Sequence, residues 1–142
     1  MPVLSRVLSI IDRFSPPERV HAHCDLPCGV YDPAQARIEA ESVKAIQEKY
    51  GSSDDETFKT RALIIKEHRA DLAKHHLWVL WTDYFKPPHF EKYPQLHELF
   101  NKATKQAGAA GAKGSMDPAE GQKLLDHIAE IDRIFWETKA AA

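Results

Sequence analysis

The chain has 142 residues, 43% of them hydrophobic and 28% charged, and a formal net charge of −2. That is the make-up of one folded domain with enough material for a core, and it excludes disorder and collagen-like repetition. Charges of both signs are interspersed with no basic stripe to track a phosphate backbone, and no apolar run approaches the roughly 18 residues that span a bilayer, so neither nucleic acid nor membrane is an expected partner.

In residues 1–22, MPVLSRVLSIIDRFSPPERVHA, the apolar positions Val3, Leu4, Val7, Leu8, Ile11 and Phe14 recur at helical spacing until Pro16-Pro17. Arg6 and Asp12 interrupt any export-type apolar core, and the acidic residues argue against a mitochondrial presequence. Two readings stay open: a helix that packs on the domain, or a leader that is removed.

From Asp32 onward the chain reads helical. Asp32-Pro33 supplies a capping carboxylate and a proline at the first helical position, and Ala34, Ile38, Ala45 and Ile46 keep the spacing until Gly51-Ser52-Ser53 breaks it. A second helix is predicted from near Asp54-Asp55 to about Phe85, with Leu63, Ile64, Leu72, Leu77, Leu80 and Trp81 on its buried side, ended by Lys86-Pro87-Pro88. A third begins near Pro94 and dissolves in the Gly/Ala stretch from Ala107 to Ser115, which reads as a flexible loop. Asp117-Pro118 repeats the capping pattern, and Leu124, Ile128, Ile131 and Phe135 follow at spacings of 4, 3 and 4. Four such helices bury their stripes most simply as an all-α, antiparallel four-helix bundle, a fold that by itself implies no chemistry.

Within the helices the candidates are weak. His75-His76 lack a partner at helical ligand spacing, the paired Glu-x-x-His signature of di-iron bundles is absent, and Trp78, Trp81 and Trp136 suit a core or a subunit interface. What remains is HAHCDLPCGVYDP, residues 21–33, which holds both cysteines of the chain. Cys24 and Cys28 alone match neither a thioredoxin-like pair nor a complete zinc site, and a small thiol-redox or zinc-binding helical protein stands as the alternative reading. With His23 before the first cysteine, Pro27 before the second and Gly29 after it, the segment becomes a hook. If the chain began at His23, it would offer an amine, the Cys24 amide nitrogen, two thiolates and an imidazole. A plane of two nitrogens and two sulfurs points to Ni(II) or Cu(II) rather than tetrahedral zinc, and nickel is the better choice because such donors, with an axial imidazole, make Ni(III) accessible.

The run His23-Cys24-Asp25-Leu26-Pro27-Cys28-Gly29-Val30-Tyr31 resembles the nickel-containing superoxide dismutases, whose hook reads His-Cys-x-x-Pro-Cys-Gly-x-Tyr. The likeness extends over nearly all of His23 to Lys139 and is weakest around residues 107–115. It implies a leader or propeptide, residues 1–22, cut off by a processing protease, and a mature bundle, residues 23–142, with its metal hook at 23–31. It implies one nickel ion per subunit, held by the amine and imidazole of His23, the amide and sulfur of Cys24 and the sulfur of Cys28. Tyr31 and Tyr84, with Asp25, would line the approach. Glu39 and Arg69, which composition alone would leave as solvated helix charges, would orient the imidazole. The implied reaction is the disproportionation of superoxide to O2 and H2O2 by a homohexamer, and the cytoplasm is the expected compartment because the thiols must reach the metal reduced.

Overall fold

A computed structural model describes residues 28–141 of the chain, and residues 1–22, 23–27 and 142 lie outside the described part. Among the described residues there are five α-helices and no strand: α1 (Ala34–Gly51), α2 (Glu56–Val79), α3 (Pro87–Lys92), α4 (Leu96–Gln106) and α5 (Pro118–Ala140), with a π-helical turn, Leu80–Tyr84, continuing α2.

The helix starts follow from local chemistry. Asp32 Oδ1 accepts from the Ala34 amide at 2.8 Å, Asp55 Oδ1 from Thr57 and Phe58 at 2.9 and 3.2 Å, and Asp117 Oδ1 from Ala119 at 2.9 Å, so α1, α2 and α5 each start with an amide that a carboxylate satisfies. The π turn closes through Phe85 N–H on Leu80 O at 3.0 Å. Beyond it Lys86 is extended, as the residue before a proline must be, and Pro87 opens α3.

α1 packs on α2 and α5, and α4 packs on α5 and α2. The buried stripe of α1 is Ala36, Ala40, Val43 and Gln47, and that of α2 is Ala62, Lys66, Ala70, Ala73, Leu77 and Val79. Alanines on both sides let the two backbones approach closely. α5 supplies the bulk: Leu124, Ile128, Ile131, Ile134 and Phe135 are almost fully buried, and truncating any of them to alanine removes about 2–5 kcal/mol.

Four sequence expectations change. Leu63 and Ile64 are 39% and 68% exposed and Ile38 is 56% exposed, because the alanine stripes fix which faces of α1 and α2 turn inward and these residues fall about a quarter-turn or more away. The long second helix changes to a π turn at Leu80. The segment after Pro87 forms a helix of its own, α3. Finally, the stretch 107–115 is a compact chain of turns with Ala107 and Ala112 fully buried, not a loose loop.

The reason lies across the bundle. Lys66, 1% exposed, donates its ammonium to the carbonyls of Ala112 at 3.3 Å and Ser115 at 3.1 Å and, at a shorter distance, to Lys113 O. Gln47 Nε2 donates to Ala112 O and Ser115 O as well. Burial pushes the Lys66 ammonium below the ordinary lysine value, against a smaller upward pull from Glu67.

Candidate metal centre

Cys28, Gly29 and Val30 lead as exposed backbone into Tyr31 and the start of α1. Gly29 has φ +71°, a left-handed conformation that a side chain would resist, so the backbone path directly after Cys28 is one that glycine permits. Among the described residues no three or more His, Cys, Asp or Glu side chains cluster as a metal site. Cys28 is the one predicted ligand in the described part, where it stands exposed. His23, Cys24 and Asp25 lie outside it.

The floor beneath this segment is built by the π turn and α5. The Tyr31 and Tyr84 rings lie 5.7 Å apart, and with Gly29, Asp83 and Lys86 they line a cleft of about 220 Å³. Tyr84 is wedged against Phe135 at 4.3 Å and Phe85 at 4.9 Å and stacks on His89 at 5.7 Å. Being the last residue of the π turn, it gains its aim from the extra residue in that turn, a device common at functional sites.

The hydroxyl of Tyr84 lies 2.7 Å from Thr138 Oγ1, and Thr138 Oγ1 lies 2.7 Å from the carbonyl of Phe135. A threonine hydroxyl has one proton. Thr138 gives it to Phe135 O, so Tyr84 is the donor to Thr138 and keeps only lone pairs for the cleft. His89 accepts from the Lys86 amide through Nδ1 at 3.1 Å. Burial, with Lys86 and Lys92 as smaller causes, holds its pKa below the ordinary histidine value, which favours the neutral form against the Tyr84 ring.

Glu39 and Arg69 pair across α1 and α2: Arg69 Nη1 is 3.1 and 3.3 Å from the two carboxylate oxygens. The Glu39 side chain is 15% exposed and that of Arg69 42%, so the carboxylate is shielded between α1 and α2 while the guanidinium that pairs with it stays partly in water. His75 and His76 meet edge to face at 5.5 Å on the same helix.

Thr138 and Lys139 were not singled out by the sequence. Thr138 continues the buried spacing of Leu124, Ile128, Ile131 and Phe135, and a polar residue on that stripe is the signal that could have marked it. Lys139 Nζ donates to Gly29 O at 3.1 Å, a contact across 110 positions that no local pattern announces.

Of the donor set, the described residues include one thiol, that of the exposed Cys28, a chemistry that a thiolate-binding metal could use. The cleft that begins at the next residue is lined by phenols, a carboxylate and a lysine.

Comparison with known proteins agrees. Residues 18–139 match the family model described as nickel-containing superoxide dismutase. The chain is 70% identical over 128 residues to the protein named superoxide dismutase [Ni] of Streptomyces coelicolor (strain ATCC BAA-471 / A3(2) / M145), covering 90% of this chain and 96% of that protein. The protein of the same name from Streptomyces seoulensis matches to the same extent. Among solved structures, a native nickel superoxide dismutase at 1.30 Å is 72% identical with a TM-score of 0.80, over 83% of this chain and 99% of that one. An apo nickel superoxide dismutase gives 70% and 0.76, over 79% of this chain and 99% of that one. This chain belongs to the nickel-containing superoxide dismutase family.

Proposed function

We propose that the chain disproportionates superoxide, 2 O2•− + 2 H+ → O2 + H2O2, at a nickel hook formed by residues 23–31 once residues 1–22 have been removed. The observation that carries this reading is the placement of Cys28: exposed, and directly before the left-handed Gly29, which lines the cleft with Tyr31 and Tyr84. Nickel bound there would supply one-electron chemistry between Ni(III) and Ni(II), the kind needed to oxidise one superoxide and reduce another.

The chain's own residues do the rest. His23 gives its amine and imidazole, Cys24 its amide nitrogen and sulfur, and Cys28 its sulfur. Tyr31 and Tyr84 narrow the approach to small species, with Asp25 beside them. Tyr84 can only accept, since its proton is committed to Thr138, whereas an anion in the cleft needs a donor or a positive charge. Lys86, at the cleft wall, supplies positive charge for an anionic substrate. Glu39 and Arg69, already paired, orient the His23 imidazole.

The removal of residues 1–22 has a chemical purpose. Joined to Ala22, the nitrogen of His23 is an amide, a poor donor; freed, it is an amine with a pKa of about 7.7–8.0. We further propose one nickel per subunit, a processing protease as partner, and a homohexamer supported by the exposed Ile38, Leu63, Ile64 and Trp78. No helix among the described residues is long and apolar enough to cross a membrane, and the need for reduced thiols favours the cytoplasm.

The test is a pair of chains. One that begins at His23 should bind one nickel and dismutate superoxide; one with a single uncleavable alanine before His23 should lose nickel or fall by orders of magnitude in rate. Equal activity and equal nickel in the two, or zinc in place of nickel in active protein, would refute the hook.

A further inference from the structure

We infer that Lys139, in the last turn of α5, is the positioning residue that anchors the root of the hook. The inference rests on the reading of Cys28 as a nickel ligand and adds to it the side chain that seats the ligand. A lysine at the exposed end of a terminal helix would ordinarily extend into water. Lys139 turns inward: its ammonium lies 5.8 Å over the Phe135 ring and 5.6 Å over the Tyr84 ring and ends 3.1 Å from the carbonyl oxygen of Gly29.

Each contact constrains a different freedom. The two aromatic faces hold the cation by their negative quadrupoles, fixing the long flexible stem. The charge-assisted bond then fixes the orientation of the Gly29–Val30 peptide plane. With Gly29 at φ +71°, that plane determines how the chain arrives from Cys28. Glycine in this conformation is permissive and would otherwise sample many arrangements. Lys139 selects one, directly over the Tyr84 ring that floors the cleft.

Metal binding is coupled to the ordering of its ligand segment, so a hook root already held loses less freedom when nickel arrives. Outer groups that orient metal ligands typically change affinity 10–100-fold when removed. Lys139→Met, which keeps the stem but loses the donor and the charge, therefore weakens nickel binding by about tenfold, and Lys139→Arg, which keeps both, restores it.

The experiment has two arms. In the full chain without metal, 15N relaxation of the Gly29 and Val30 amides should give order parameters that fall from a rigid value near about 0.85 towards or below about 0.6 in Lys139→Met, with Lys139→Arg like the parent and the helical circular dichroism the same in all three. In chains that begin at His23, equilibrium nickel titration should show the tenfold loss and its rescue. Unchanged order parameters in Lys139→Met would overturn the anchor, and an unchanged nickel Kd would overturn its positioning role. If the parent beginning at His23 binds no nickel, the hook reading fails, while the order parameters still decide the anchor.

Discussion

Gln47 on α1 and Lys66 on α2 donate to the same carbonyl, that of Ala112, each at 3.3 Å. The two helices thus meet at the turns that link α4 to α5, and a cation stands there among backbone oxygens with no carboxylate bonded to it. Removing it takes the donor from the Lys113 carbonyl and leaves those of Ala112 and Ser115 to Gln47 alone, in a place where an unsatisfied group costs about 1–3 kcal/mol. Lys66→Met should lower stability by about 3 kcal/mol in urea unfolding at fixed protein concentration and expose the 107–115 stretch to proteolysis. Gln47→Leu should cost less, because Lys66 still serves the same oxygens. A Lys66→Met chain as stable and as resistant as the parent would show that these bonds carry no net stability.

This linkage also explains which parts of the molecule the sequence could announce. The caps at Asp32, Asp55 and Asp117 act on amides two or three residues away, so their signal is local. The run from His23 to Tyr31 is local in the same way, and it carries the resemblance to the family within nine residues. The 107–115 stretch contains small residues without side-chain donors, and what orders it is Lys66, more than 40 residues away; composition alone reads as looseness. Leu63 and Ile64 look like core residues because they are apolar, yet the inward face of α2 is set by how closely its alanines approach α1. Lys139 and Thr138 belong to the site only through folding, which brings the end of α5 under the hook.

Gly121 sets the distance between α5 and α1. A Cβ there would lie 2.4 Å from Gln47 Oε1 and 2.9 Å from Lys44 Cα, and the second neighbour is backbone that cannot rotate away. The helix-propensity gain of alanine, about 1 kcal/mol, is therefore outweighed by overpacking of about 1–3 kcal/mol. Gly121→Ala should lower the urea midpoint. Gly51→Ala, where a Cβ meets nothing within 4 Å, should leave it equal or slightly raised. If both raise the midpoint, the helices are not in the close contact described.

Thr138→Val removes the acceptor for Tyr84 while keeping shape. The phenol proton is then released towards the cleft, and a ring that offered only lone pairs becomes a rotatable donor. About 1 kcal/mol of lost orientation corresponds to a fall of roughly fivefold in kcat/KM, with little change in stability. Thr138→Ser should restore the rate, since the hydroxyl returns. Full activity in Thr138→Val would mean that the donor direction of Tyr84 is irrelevant to turnover.

His89 and His127 both have pKa values held below the ordinary histidine value, burial being the first cause in each; Lys86 and Lys92 add to it at His89, and Lys102 at His127. The sign follows from proton counting. As pH falls through the ordinary histidine range near about 6.5, the unfolded chain takes up protons before the folded one does, so stability is full above that range and declines below it until the folded histidines also protonate. Unfolding midpoints should therefore drop between about pH 7.5 and 5.5, above the range in which the carboxylates titrate, and the drop should shrink in His127→Gln. A flat profile in the parent over this interval would contradict the assigned directions.

Lys86 stands at the cleft wall and is exposed. If residues 1–22 are removed as proposed, Arg6, Arg13 and Arg19 go together with Asp12 and Glu18, and the formal charge falls from −2 to −3. With or without them the net charge is negative, so attraction of an anion has to come from charge placed locally. A positive group at a cleft mouth raises the encounter rate of an anionic substrate, and the effect is screened over a Debye length of about 8 Å at physiological ionic strength. Lys86→Glu should lower kcat/KM about tenfold at low salt. Its rate should also respond differently to added salt: where the parent slows as screening removes attraction, the variant should slow less or accelerate as screening removes repulsion. Nickel content and the unfolding midpoint should stay as in the parent, since the side chain makes no ion pair that the fold relies on. Stopped-flow decay of superoxide across a salt series reads both quantities at once, and a rate and slope equal to the parent's would show that the anion finds the cleft without Lys86.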